Sequence, residues 1–498
     1  MSRFLKQYYL VILASLLLSI SRIPLHLGFL VLVGFIPLLY FFRKGRHSLK
    51  TLAISALLYA LIQIAIVFYW IGSVTVGGLV GIWLIFAVHY TVCFYLIQSV
   101  WTKCPALKYP AFLSVFISFE FLQNFTQMRF PWFNVGYSLA DYLPLIQAAD
   151  LGGMTLLAIL IISVNILLFQ ALTKNRRYLI LAGILLFIWM GYGVYQLKSI
   201  RLKQHDAGIS VMQPSIPQVD KWEARHYDYI ISRYDSLCAV ARDQGTRMLI
   251  FPEAAMPVYL MLEPGPMGDL RTLLSKYRIS VFTGFPHSET APSGHSQQYL
   301  YYNAATLFDP DWGFQDLYYK NILVPVGERM LWLEQFPFLW SLQFGQANWE
   351  FGTEIPVYEC DGYRFSPSIC YELAFPHFMQ RANRIRDEKV DYHVNITNDA
   401  WFGTSYGPWL HSVMARFRAV ESRMQVYRSA NTGISMIVDP LGRILARTRL
   451  FETGNIQAPL YTTDIIPVYS RISNYPWFFV IAAGIQFLIS LLRGRRKL

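Results

Sequence analysis

The chain has 498 residues, of which 54% are hydrophobic and only 15% charged, and its formal net charge is +12. That length exceeds one ordinary domain, and soluble chains carry about 25% charged residues, so a wholly soluble single-domain protein is excluded. The basic residues sit beside apolar runs, which argues for membrane orientation and against nucleic acid, and five cysteines without CxxC spacing argue against a disulfide framework or a zinc site.

Seven apolar spans are expected near 8–21, 25–42, 52–72, 78–101, 109–124, 153–172 and 178–196, and an eighth near 475–492. A crossing helix needs about 20 mostly apolar residues, so the first and fifth are short. Arg22 and Pro24 split the long apolar stretch 8–42 into two. Basic clusters recur after every even span: Arg43, Lys44, Arg46 and Lys50; Lys103 and Lys108; Lys174, Arg176 and Arg177; Arg493, Arg495, Arg496 and Lys497. An N-terminus inside puts all four in the cytoplasm. Arg3 and Lys6 agree, and this parity favours retention of residues 1–21 over cleavage as a signal peptide.

The same parity sends residues 197–474 and the loop 125–152 to the outer face. Trp132 and Tyr137 in that loop fit interfacial anchors, with a lipid portal as the alternative. Glu120, at the end of the fifth span, faces a polar cavity or pairs with a neighbour.

Residues 204–466 change character. Short β-branched runs alternate with helical patterns, which points to an α/β layered domain. Strands are expected at 208–213, 248–251, 279–284, 304–308, 364–369 and 391–396, helices at 222–244 and 411–427, and a hairpin at 434–446 around Pro440-Leu441-Gly442. Residues 285–298, rich in Pro, Gly, Ser, His and Gln, read as a mobile loop. The expected domains are 1–200, 201–466 and 467–498, the last being a final span with a basic tail.

Three residues of this second region need each other. Glu253 ends the apolar run Ile250-Phe251-Pro252, and active sites of layered α/β domains gather at strand ends. A carboxylate there can serve as a base, or be an ordinary turn carboxylate. Lys320 lies between Tyr318-Tyr319 and Asn321-Ile322, as a snorkelling surface lysine or as a fixed charge beside a thiolate and an oxyanion. Cys370, in Ser368-Ile369-Cys370-Tyr371-Glu372, is an inert buried thiol or a nucleophile with a lowered pKa.

Taken in order, these contexts, together with Asn398-Asp399-Ala400-Trp401-Phe402-Gly403 and the run from Arg418-Ala419-Val420-Glu421 to Arg428-Ser429-Ala430-Asn431-Thr432-Gly433, resemble the nitrilase (carbon–nitrogen hydrolase) superfamily over about 208–450. The resemblance implies an α-β-β-α sandwich in which Glu253 is the general base, Lys320 the oxyanion stabiliser and Cys370 the covalent nucleophile. Glu328 and Glu372 match supporting acids. Trp222, Tyr371, Asn398 and Trp401 match residues around an acyl pocket, and Asn303 a polar residue near the lysine. After Lys320 the run Val324-Pro325-Val326-Gly327-Glu328-Arg329-Met330 departs from the usual pattern, so contacts of that loop are not carried over.

With its spans, the whole chain resembles the bacterial apolipoprotein N-acyltransferases. That resemblance implies an eight-helix transmembrane domain in the inner membrane and an extracytoplasmic catalytic domain. It also implies a phospholipid acyl donor, a diacylated lipoprotein acceptor, a Cys370 thioester and a monomer. No metal, nucleotide or cofactor fingerprint is present in the sequence. Two rivals stay open: a membrane-tethered amidase of the same superfamily, and a transporter or sensor with a ligand-binding outer domain. Eight spans exceed what a tether needs, and a binding module has no use for the three residues together.

Overall fold

The computed structural model describes residues 3–293, 297–333, 335–336, 338–339, 347–383 and 390–495. Arg496 and Lys497 of the last basic cluster, and 294–296 of the expected loop, lie outside them. The chain forms two units: residues 1–199 with 405–410 and 467–498, and residues 200–404 with 411–466.

The first unit is helical. Among the described residues, five helices are long and apolar enough to cross a membrane: Leu49–Val67, Val76–Lys103, Ala149–Thr173, Arg177–Ser199 and Trp477–Gly494. The apolar helix Phe4–Ile20 and the broken run Gly28–Arg43 are shorter, and Lys108–Leu122 has 15 residues. The expected span 25–42 is divided into a 3-10 turn Gly28–Leu30 and the helices Val31–Gly34 and Ile36–Arg43. Pro37 enters at the start of the last piece, where its missing N–H costs no hydrogen bond.

Loop 125–152 corrects an expectation. Trp132, Phe133 and Tyr137 are buried, not interfacial. Phe133 stacks on Phe86 at 3.9 Å and packs on Phe68 at 4.5 Å, and Trp132 lies 5.1 Å from Trp70. Aromatic pairs gain from such contacts beyond their buried area, so these side chains pack as core of the helical unit and are not interfacial anchors. Glu120 Oε1 accepts the Val135 N–H at 3.0 Å and pins the loop to its helix.

Among the described residues the second unit holds fourteen strands in chain order: β1 (Lys203–His205), β2 (Ile209–Gln213), β3 (Met248–Ile250), β4 (Ser280–Thr290), β5 (Tyr299–Phe308), β6 (Tyr318–Tyr319), β7 (Tyr358–Cys360), β8 (Tyr363–Ile369), β9 (Tyr392–Thr397), β10 (Gln425–Ala430), β11 (Met436–Val438), β12 (Ile444–Arg447), β13 (Gly454–Gln457) and β14 (Leu460–Thr462). One six-stranded sheet runs β13-β2-β3-β4-β5-β6, the other β12-β11-β10-β9-β8-β7, and β1 pairs with β14. The central neighbours β2, β3 and β4 are parallel, as are β8, β9 and β10. Parallel strands need crossovers. Helices Tyr227–Asp243 and Pro264–Tyr277 supply them in the first sheet, and Pro376–Ala382 and Gly407–Ser422 in the second.

The two sheets face each other through aromatic and polar contacts. Phe282 lies 5.2 Å from both Tyr358 and Phe365, and Ser429 Oγ donates to Met212 O at 2.7 Å. The first sheet's other face is covered by Ile230, Tyr234, Leu237, Leu270 and Leu274 of its two crossover helices. Burying such side chains contributes about 1.5–3 kcal/mol each relative to exposure.

Three boundaries differ from expectation. The helix expected over 411–427 stops at Ser422, because Arg423 turns left-handed at φ 53° and β10 begins at Gln425. A left-handed cap is usually Gly or Asn, so an arginine there hides the boundary. The helix expected from Trp222 begins at Tyr227, after a 3-10 turn at Ala224–His226. Residues 285–290 of the expected loop are strand, paired in register with β5 from Val281↔Phe308 to Thr290↔Tyr299.

Candidate active site

The expected catalytic residues lie just beyond the C-terminal ends of strands from both sheets. Glu253 follows β3, Lys320 follows β6, Cys370 follows β8, and Asn398 with Asp399 follows β9. Strand ends of this kind are where layered α/β folds place ligands. β7 pairs with β8 only as far as Phe365, so Pro367 meets no partner on that side and its missing N–H breaks no ladder bond there.

Lys320 is 1% exposed. Its Nζ donates to Glu328 Oε1 at 2.8 Å and lies 3.4 Å from Glu253 Oε1. Burial disfavours the ammonium, but Glu328, Glu253 and Cys370 more than offset this, and its pKa stands above the ordinary lysine value. Asn303 Nδ2 reaches Glu253 Oε1 at 2.7 Å and Glu328 Oε1 at 3.4 Å. The second oxygen of Glu253 accepts the Asn398 N–H at 2.9 Å, and that of Glu328 accepts the Val324 N–H at 2.8 Å. Glu253, Lys320, Glu328, Asn303 and Asn398 therefore form one network. Geometry fixed at this many points has little rotamer freedom left to lose on reacting.

Cys370 is half-buried and adopts φ 51° as the first residue of a 3-10 turn through Ala374. A non-glycine residue in the left-handed region costs energy and persists where its surroundings fix it. Its thiol corrects the expectation of a lowered pKa. Burial pushes it well above the ordinary value, Glu253 adds to this, and Lys320 opposes without prevailing against Asp399 and Glu328 as well. The resting group is a neutral thiol. Attack then requires a base that takes the proton as the bond forms.

Glu372 is taken up by backbone and tyrosine donors. Its carboxylate accepts from Ile369 N at 2.7 Å, Tyr318 Oη at 2.5 Å, Asn321 N at 2.6 Å and Ile322 N at 3.0 Å. It ties the cysteine turn to the backbone that follows Lys320. Burial raises its pKa to about 7 against these donors. Tyr371 is buried edge-on against Phe375 at 5.1 Å. Trp222 and Trp401 are not drawn into the network: both are half-exposed.

Four residues of the site were not singled out individually from the sequence. Asp399 is fully buried, and its Oδ1 lies 2.9 Å from His411 Nδ1 while Oδ2 accepts from Arg428 Nη2 at 2.6 Å. His411 Nε2 stands 3.1 Å from the Cys370 carbonyl oxygen and so braces the strained turn. Burial would raise the Asp399 pKa, but His411 and Arg428 outweigh it and hold it at about 2. The fourth is Lys221, 2% exposed, whose Nζ donates to Glu253 O at 2.9 Å. The only signals for these are Asp399 next to Asn398 and polar residues in otherwise apolar runs. Ligand-type atoms of Cys370, Asp399 and His411 lie within 4.8 Å of one another. Asp399 is already committed to Arg428 and His411, which suits an ion-paired brace better than a metal.

Among known proteins, a carbon–nitrogen hydrolase model matches residues 209–468, and a model of the apolipoprotein N-acyltransferase N-terminal domain matches residues 14–167. An apolipoprotein N-acyltransferase of Chlorobaculum tepidum is 29% identical over 99% of this chain and 98% of its own length. One from Bradyrhizobium diazoefficiens is 32% identical, covering 86% of this chain and 80% of its own. Among solved structures, a cysteine-to-alanine variant of a nitrilase-superfamily amidase from Nesterenkonia has 18% identity and a TM-score of 0.39, covering 54% of this chain and 96% of its own.

Proposed function

The chain belongs to the apolipoprotein N-acyltransferase family and carries a carbon–nitrogen hydrolase domain, and from that premise we propose a two-step acyl transfer through Cys370. In the first step Glu253 takes the thiol proton while Sγ attacks the ester carbonyl of a glycerophospholipid. The tetrahedral oxyanion is stabilised by Lys320 and the Tyr371 N–H. It collapses as the C–O bond breaks, Glu253 returns the proton to the leaving alkoxide, and a lysophospholipid departs from a Cys370 thioester. In the second step the amino group of an N-terminal diacylglyceryl-cysteine attacks the thioester. Glu253 takes its proton, the C–S bond breaks, and the thiol is restored with the amide formed.

What supports this most is Lys320 Nζ set 2.8 Å from Glu328 and 3.4 Å from Glu253, with the cysteine turn beside it. The lysine is charged in advance, so no reorganisation is needed when the oxyanion forms. Glu328 and Asn303 hold Lys320 and Glu253 in place. Trp222 and Trp401 offer apolar faces to the acyl chain. The eight apolar spans hold the site at the inner membrane with the catalytic domain on the periplasmic side, as the basic clusters imply. The catalytic domain lies within 201–466, and the enzyme acts as a monomer.

The test is a trapped intermediate. Purified protein incubated with phospholipid labelled in its acyl chains is expected to carry the label on Cys370 by mass spectrometry, and Cys370→Ala to carry none. Adding a diacylated lipopeptide should then discharge the label onto the peptide. Label on both proteins sinks the thioester. Discharge to free fatty acid at the same rate with or without peptide makes water the acceptor and favours the amidase.

A further inference from the structure

Lys221 is a buried charge at the site to which the acyl transfer assigns no part. It closes the helical turn Gln218–Lys221, which leads from the end of β2 into the first crossover. Its Nζ makes one hydrogen bond among the described residues, to the Glu253 carbonyl at 2.9 Å. Two of its three N–H donors are left unspent at 2% exposure. A buried ammonium in that state is costly unless a nearby charge compensates it.

The same turn grips the site at a second point. Gln218 Oε1 accepts from Asn398 Nδ2 at 2.8 Å, and Asn398 donates its backbone N–H to Glu253 Oε2 at 2.9 Å. Ala254, directly after Glu253, takes φ 46°, which a residue with a Cβ holds only under constraint. The Lys221 bond falls on the carbonyl between these two residues.

We propose that Lys221 is a positioning residue for Glu253: its bond to the carbonyl fixes the left-handed turn that aims the carboxylate, and its ammonium acts on the same carboxylate that takes the thiol proton. The inference rests on Glu253 being the base. Charged and titratable groups face Glu253 from each side: Lys320 from the end of β6, Cys370 from the end of β8 and Lys221 from its turn, with Glu328 sharing Lys320. Of the two cations, Lys320 is divided between two carboxylates, while Glu253 is the charge that Lys221 meets. Burial draws the Lys221 pKa down to about 8, with Glu253 acting in the opposite direction, so the ammonium is present at neutral pH and lost above it.

The experiment is the pH profile of Cys370 acylation by labelled phospholipid, in full-length protein, for the wild type and three variants. Lys221→Arg keeps the charge, Lys221→Gln keeps a donor for the carbonyl without the charge, and Lys221→Met keeps neither. Removing a neighbouring cation raises a carboxylate's pKa. The acid limb should therefore move up in the glutamine and methionine variants by about half a unit or more, roughly a threefold change in proton affinity, and stay in place for arginine. The arginine variant should also recover most of the rate that methionine loses. If methionine does not fold, glutamine carries the comparison. An acid limb at the same pH in all proteins, with rates merely lowered, overturns the proposal. Failure of the underlying reading looks different: Glu253→Gln would keep the wild-type rate, or no label would reach Cys370.

Discussion

At the scale of single residues, Glu372 shows how much of this site is scaffolding. Four donors converge on one buried carboxylate. Glu372→Gln puts an NH2 group among those donors and leaves buried N–H groups unpaired. Unpaired buried groups cost about 1–3 kcal/mol, more when a charge was the partner. The variant should lose at least about 2 kcal/mol of stability, read as a lower thermal midpoint in detergent, with acylation falling more than tenfold because the Cys370 turn and the Lys320 segment share that carboxylate. A variant as stable as wild type would show that the four contacts are not what holds the turn. At this scale the runs around Glu253, Lys320 and Cys370 each left an ordinary reading open, and only their order and the resemblance it carries set the three together as a proposed triad. Their charge states were not legible. Whether a thiol is ionised depends on every carboxylate within reach, and Asp399 reaches Cys370 only through the fold.

At the scale of elements, β9 carries a second pH-sensitive group. His393 is fully buried, with Nδ1 2.8 Å from Ser366 Oγ and Nε2 2.9 Å from Ser368 Oγ, both hydroxyls on β8. Burial lowers its pKa to about 3. The folded protein thus holds a neutral imidazole whose unfolded pKa is about 6.5. The stabilisation is complete above pH 6.5 and is lost as the pH falls from there toward 3, reaching about 2 kcal/mol at pH 5. Replacing His393 with Gln, which can bond both serines and does not titrate, should flatten the decline in thermal midpoint between pH 7 and 5. An equally steep decline would assign the acid sensitivity elsewhere. Strand cores were readable from β-branched runs, whereas β10 was absorbed into the preceding helix. Val426 and Tyr427 continue that helix's apolar spacing, and only the left-handed Arg423 separates the two elements. Likewise, 285–290 carry loop-forming residue types and became strand because β5 gives them a full antiparallel partner.

At the scale of the whole molecule, the chain leaves the catalytic unit for six residues, Ser405–Leu410, which cluster with the helical unit, and returns at His411. The excursion lies between Asp399 and its partner His411. Residues 200–466 expressed alone should therefore not behave as a free-standing enzyme. The fragment is expected to need detergent to stay in solution and to form less than a tenth of the full-length thioester. A soluble fragment with wild-type acylation would show that the excursion is dispensable. Sequence composition separated the apolar helices from the α/β region, since mean polarity changes abruptly near residue 200. It gave no sign of the excursion, because Tyr406, Pro408, Trp409 and Leu410 read as ordinary loop and helix start.

The neutral resting state of Cys370 has a consequence for survival between turnovers. Peroxides and other oxidants attack thiolates, not thiols, and carry a cysteine toward sulfenic and then irreversible acids. A nucleophile that surrenders its proton only when an ester is seated beside Glu253 presents little thiolate while idle. The idle protein should keep its acylating capacity through a peroxide exposure that inactivates a low-pKa cysteine enzyme, as measured by thioester yield after quenching. Rapid loss of that yield would mean that the thiol is ionised at rest. The same carboxylates that make the thiol reluctant would thus protect it between turnovers.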